Sequence, residues 1–149
     1  MQDNTIALGF DVGAKKTGVA IGQSLTNSAK ALHKIACHQG LPSDLNILTD
    51  LITTWRPHII IVGMPHRPDG KAQRATMHAL AFIDFLKQHF NLPVYQIDEQ
   101  LTTKSARTDI FEAGGYRHLQ KSDVDSYAAK LMIESWFTEQ SGKCSINTQ

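Results

Sequence analysis

Ile6-Ala7-Leu8-Gly9-Phe10-Asp11, the turn Val12-Gly13-Ala14-Lys15-Lys16, and the return Thr17-Gly18-Val19-Ala20-Ile21-Gly22 decide how this chain folds. The first segment is an unbroken apolar run of strand length, as expected of a central strand covered on both faces, and it ends on a carboxylate. Thr17 to Gly22 reads as a second strand. The tight, glycine-bearing connection between them predicts an antiparallel hairpin.

Working outward, Ala31 to Cys37 reads as a weaker third strand. Pro42-Ser43-Asp44 opens a helix whose Leu48, Leu51, Ile52 and Trp55 keep the spacing of one buried face, and Pro57 ends it. Ile59-Ile60-Ile61-Val62 is a second fully apolar strand, followed by a loop through Gly63, Pro65, Arg67, Pro68 and the turn-forming Asp69-Gly70. A helix over Ala72 to Phe90, with Leu80, Ile83, Leu86 and Phe90 as its core stripe, leads past Pro93 into a short strand, Val94 to Ile97, ending at Asp98-Glu99. Further helices are expected over Thr103 to Ala113, stopped by Gly114-Gly115, and over Asp123 to Glu139. A hairpin followed by alternating helices and strands predicts an α/β fold, with a mixed sheet flanked by helices and its later strands parallel. One domain over residues 1–140 and a disordered tail over 141–149 are expected.

Composition narrows the function classes. The 149 residues can bury a sizeable core, and no apolar run approaches the roughly 20 residues of a membrane span. The polar start Met1-Gln2-Asp3-Asn4-Thr5 lacks the basic and apolar segments of a secretory signal. Cys37 and Cys144 stand far apart, giving neither a disulfide framework nor a zinc spacing, so a cytoplasmic setting is expected. Fifteen basic against 14 acidic residues leave a net charge of +1, which neither requires nor excludes a nucleic-acid partner. The seven histidines match no metal-binding pattern.

Three carboxylates stand out. Ligands of open α/β sheets collect beyond the carboxyl ends of strands, and Asp11 and the Asp98-Glu99 pair lie at such ends. In the last helix Asp123, Ser126, Lys130 and Glu134 form a polar stripe, whereas Asp125 shares a stripe with Ala128, Ala129, Met132 and Trp136. A carboxylate on an apolar face is costly unless it is hydrogen-bonded, paired or bound to metal. Each acid also has a structural reading. Ser122 to Asp125 matches a helix-start capping box, Asp11 could bond its own turn, and Glu99 could be a solvated strand end. The strand, acid and glycine hairpin also resembles the phosphate loop of actin, sugar-kinase and Hsp70 ATPases. Those proteins clasp nucleotide between two such domains, and 149 residues supply one.

The chain resembles the YqgF/RuvX family, whose members are described as pre-16S rRNA nucleases or as Holliday junction resolvases. The resemblance runs from about Ile6 to Phe137 and rests on four segments. They are Gly9-Phe10-Asp11-Val12-Gly13 with Lys16-Thr17-Gly18-Val19-Ala20; Ile61-Val62-Gly63-Met64-Pro65 with Asp69-Gly70; Asp98-Glu99 with Leu101-Thr102-Thr103; and Val124-Asp125-Ser126 with Ala128-Ala129. It implies a ribonuclease H-like fold with a five-stranded mixed sheet. It also implies a nuclease whose catalytic, metal-binding acids fall on Asp11, Glu99 and Asp125, with Mg2+ or Mn2+ as cofactor. Where the family usually has arginine after the Asp-Glu pair, this chain has Gln100, which removes a cation that could contact phosphate. Candidate phosphate contacts are Lys15, Lys16, Arg67, Lys71, Arg74, Lys104, Arg107, Arg117 and Lys121, and Tyr116 is a candidate for stacking on a base. The partner implied is nucleic acid, an rRNA precursor before branched DNA. The chain would act as a monomer or homodimer, because symmetric cutting of a junction calls for two copies.

Overall fold

In a computed structural model, the structure describes residues 4–65, 72–98 and 121–147, and of these 72–73, 98, 121–125 and 141–147 by backbone alone. The strands are β1 (Ile6–Asp11), β2 (Lys16–Gln23), β3 (Ser28–His38), β4 (Leu41–Pro42), β5 (Ile59–Met64) and β6 (Val94–Asp98). The helices are α1 (Leu45–Trp55), α2 (Ala72–His89) and α3 (Lys121–Asn147). They form one sheet in the order β4-β3-β2-β1-β5-β6. β1, β2, β3 and β4 pair antiparallel in turn, and β5 and β6 add in parallel to β1. The short turn after β1 permits the antiparallel pairing, while the returns to β5 and β6 pass through α1 and α2, as parallel crossovers require.

Strand alternation sends successive residues to opposite faces. Leu8, Phe10, Val19, Ile21, Ile60 and Val62 pack with Leu48 of α1 and with Ala79, Phe82, Ile83 and Leu86 of α2. Phe10 and Phe82 meet at the centre, with ring centroids 5.0 Å apart. Ala7, Ala20 and Ile61 face the other way, onto Ala129, Ile133 and Phe137 of α3. That face is built from small residues, so α3 approaches closely. A Cβ on Gly9 would lie 2.8 Å from Ile133 Cγ1, and one on Gly22 would collide with Ile133 Cγ2.

The hairpin, the apolar strands and the mixed pairing follow the sequence reading. Several details differ. The sheet has six strands rather than five because two residues, Leu41–Pro42, pair with Cys37 and His38, too short a segment to show a pattern. β3 starts at Ser28, since its exposed positions make its hydrophobic alternation irregular. On α1, capped by Asp44 accepting from the Asn46 N–H at 2.9 Å, Leu48 is buried but Trp55 is 37% exposed, because the last turn projects past the core. On α2 the buried stripe is Ala79, Phe82, Ile83 and Leu86, and Leu80 lies outside it; Ala79 carries little hydrophobic signal, which shifts the apparent register. α3 begins at Lys121 and its backbone stays helical to Asn147, past Glu139. The helix expected over 103–113 lies outside the described residues. Among the described residues no helix is long and apolar enough to cross a membrane.

Candidate active site

Asp11 closes β1, paired with Gly18 of β2. On the other side, the Phe10–Val62 pairing places Gly63 of β5 beside Asp11, and Gly63 in turn pairs with Ile97 of β6. Asp11 thus has glycine on both neighbouring strands. Phe10 belongs to the α1 and α2 face, so the strand period assigns Asp11, like Ala7 and Gly9, to the face that α3 covers.

α3 runs antiparallel to β1. Its Ser126 meets β2 near the Asp11 end, where the Val19 N–H donates to Ser126 Oγ at 3.3 Å. Its Thr138 reaches the opposite end, where Asn27 Nδ2 donates to Thr138 Oγ1 at 3.4 Å. Between them, Ala129 and Ile133 sit over Gly9. Position 125 lies one helical turn, about 6 Å, before Ala129. Asp11 lies two strand residues, about 6.6 Å, beyond Gly9. The two displacements run the same way, so the backbone brings position 125 of α3 over the end of β1 that carries Asp11. Two acids more than a hundred residues apart in sequence therefore come from facing elements at one edge of the fold.

Ser126 is the anchor of this arrangement. The sequence reading places it on the outward polar stripe, yet it is 1% exposed, because its hydroxyl satisfies a backbone N–H beside an irregularity in the β2–β3 pairing between Thr17 and Val19. Its polarity alone could not reveal this. Its position directly after Asp125 was the available signal.

The turn after Asp11 is fixed from several sides. The Gly13 N–H donates to Thr17 Oγ1 at 3.4 Å, and Thr17, fully buried, also shares a hydrogen bond with Cys37 Sγ at 3.1 Å. The Cys37 N–H donates to the Lys15 carbonyl at 2.6 Å and the Gly40 N–H to the Ala14 carbonyl at 3.2 Å. A Cβ on Gly13 would collide with the Lys16 carbonyl oxygen, so this close turn needs glycine. Burial pushes the Cys37 thiol up, opposed by the Thr17 hydrogen bond, so at neutral pH Cys37 is a neutral packing group.

Of the candidate phosphate contacts, Lys15 and Lys16 are exposed on the hairpin and Arg74 is exposed on α2. Lys121 is the first residue of α3. Glu99, Arg67, Lys71, Lys104, Arg107, Arg117 and Tyr116 lie outside the described residues. β6 carries the backbone as far as Asp98, paired with Met64 at the same edge of the sheet as Asp11.

Comparison with known proteins identifies the family and the fold. Residues 5–139 match the family described as "RuvX: Holliday junction resolvase". A Legionella pneumophila (strain Lens) protein named "Putative pre-16S rRNA nuclease" is 43% identical over 134 residues, covering 90% of this chain and 96% of its own. A Histophilus somni (strain 2336) protein of the same name is 44% identical over 137 residues, covering 92% and 95%. Among solved structures, Thermus thermophilus RuvC in complex with a Holliday junction substrate superposes with a TM-score of 0.58 at 14% identity, over 93% of this chain and 96% of that one. RuvC of the same organism solved separately gives 0.52 at 14% identity, over 92% and 96%. These likenesses assign the ribonuclease H-like fold.

Proposed function

The chain belongs to the RuvX family, and from that membership we propose that it is a nuclease that hydrolyses phosphodiester bonds using divalent metal held by Asp11, Glu99 and Asp125. The observation that carries the reading is the meeting of Asp11 with position 125 of α3 at the carboxyl end of β1, in a ribonuclease H-like fold. The third acid is the one the family motif names, Glu99 of the Asp98-Glu99 pair; Ile97, two residues before it, packs against the cluster under α3.

The donor set suits a hard cation. Carboxylate oxygens are the ligands Mg2+ and Mn2+ prefer, and a few of them suffice when substrate phosphate and water complete the shell. Gly18 and Gly63, flanking Asp11, put no side chain between it and an incoming phosphate. When bound, a divalent ion lowers the pKa of a water and stabilises charge on the phosphoryl and leaving oxygens. The protein's own part is to hold the carboxylates in register through the Thr17 and Ser126 hydrogen bonds and to present Lys15 and Lys16 to the backbone of the substrate.

The substrate is an RNA precursor of the small ribosomal subunit, cut at the 5′ end of its 16S segment, and the protein works in the cytoplasm. The names of relatives at 43% and 44% identity support this choice. The family's description favours a second reading, a four-way DNA junction, which would require a homodimer to cut two strands symmetrically. Incubating purified protein and Mg2+ with labelled precursor RNA and a labelled four-way junction in parallel separates them. Cleavage of the RNA, with the junction intact, is expected. Symmetric junction cutting with the RNA intact would move the substrate to DNA, and no cleavage of either, in Mg2+ or Mn2+, would overturn the enzyme reading.

A further inference from the structure

Away from the acids, the described residues leave a hollow on the α1 and α2 side of the sheet. α1 stops at Trp55, where Arg56 turns into the left-handed region (φ 48°) and its N–H closes on the Ile52 carbonyl at 2.8 Å. Beyond that turn lies a hollow of about 300 Å³, lined by Ile6, Ile21, Gly22, Gln23, Ser28, Ala29, Lys30 and Trp55. Its floor follows from strand register. Ile6, Gln23 and Ser28 sit side by side across β1, β2 and β3, and Ile21 and Lys30 form the next row on the same face.

The chemistry of this lining is specific. Trp55 offers an aromatic wall and Ile6 and Ile21 an apolar floor. Gln23, Ser28 and the Lys30 ammonium supply polar groups, and among the described residues Lys30 is the only charged one lining the hollow. The Gln23 amide is held by Asn4 Nδ2 donating to its Oε1 at 3.0 Å. An aromatic wall beside a cation fits a flat ring that carries an anionic group. A nucleotide is such a ligand, with its base stacked on the indole and its phosphate on the ammonium, and base–aromatic stacking is tolerant of base identity.

We propose that the Trp55–Lys30 hollow is a second contact for single-stranded nucleic acid, holding a nucleotide of the substrate remote from the cleavage site. The proposal rests on the nuclease reading, since it gives the same polymer two points of attachment. Ile6 and Asp11 are five strand residues apart, about 17 Å along β1 and on opposite faces of the sheet. At about 3.4 Å per stacked nucleotide, a strand must exceed roughly five nucleotides to reach both.

The test uses full-length protein carrying Asp11→Asn, so that nothing is cut, and titrates fluorescein-labelled single-stranded RNA of four and of sixteen nucleotides. Trp55→Ala should weaken binding of the sixteen-mer about 5- to 150-fold, the range of a lost base–aromatic stack. Trp55→Phe should restore most of the affinity, which a merely structural role for the indole would not guarantee. Lys30→Ala should weaken binding and lower the salt dependence by about one phosphate contact. A blunt duplex should bind equally to parent and Trp55→Ala. Unchanged affinity for the sixteen-mer in both Trp55→Ala and Lys30→Ala would overturn the proposal, as would equal losses on single strand and duplex. Cleavage by the parent, assayed separately, tells the two failures apart: a protein that cuts RNA but ignores Trp55→Ala keeps the nuclease reading and loses only this site.

Discussion

Asp11→Asn should abolish cleavage and leave nucleic-acid binding in place. The amide keeps the side chain's size but removes the negative charge that the proposed metal site needs, on a residue flanked by Gly18 and Gly63. Metal assistance is worth several kcal/mol of transition-state stabilisation, and at about 1.4 kcal/mol per tenfold its loss is more than a hundredfold in rate. Affinity should change little, because in the proposed reading phosphate is met by cations such as Lys15 and Lys16 rather than by the acids. Initial rates on the best substrate, set beside gel-shift or anisotropy titrations over a range of salt, measure both halves. Cleavage by Asp11→Asn at the parent rate, with contaminating nuclease excluded, would remove Asp11 from the mechanism.

Gly9→Ala should damage both stability and activity, through the seating of α3. The new methyl would lie 2.8 Å from Ile133 Cγ1 and 2.9 Å from Ile133 Cδ1, so the buried isoleucine or the helix must move. Overpacking of this kind costs about 1–3 kcal/mol, or a fall in Tm of roughly 3–10 °C for a domain of this size. Because α3 also carries Asp125, cleavage should fall even at temperatures where the variant is fully folded. Ile133→Val removes Cδ1 and should recover part of the loss in the double variant, giving a coupling between the two sites. Thermal melts of the four proteins of the cycle measure this. A Gly9→Ala protein as stable and as active as its parent would show that α3 does not need its close seat on β1.

The parts of the fold that sequence revealed are those where burial writes a simple pattern. β1 and β5 are covered on both faces, so each is an unbroken apolar run, and the hairpin turn announces itself by its length and glycine. β4 and the first residues of β3 escaped because two-residue and partly exposed strands carry little periodicity. Trp55 and Leu80 were misassigned to buried faces because helical spacing alone does not say how far the core extends or whether an alanine anchors the stripe. Ser126 was misread for a different reason: its burial depends on a backbone donor 107 residues away, at Val19. Of the proposed site, Asp11 drew attention by its place at a strand end and Asp125 as an acid on the stripe of Ala129, and the backbone places position 125 over the Asp11 end of β1. What sequence could not supply was the register that sets Gly18 and Gly63 beside Asp11 and seats α3 on Gly9.

The most direct test of the account is metal binding by the acids themselves. Calorimetric titration with Mn2+ should find a site in the parent protein, and Asp11→Asn, Glu99→Gln and Asp125→Asn should each lose it or weaken it at least about tenfold, since each removes one charged oxygen donor from a shared shell. Circular dichroism of the apo proteins keeps loss of a ligand distinct from loss of the fold. Parent-like Mn2+ affinity in any one of the three folded variants would contradict a single centre built from Asp11, Glu99 and Asp125.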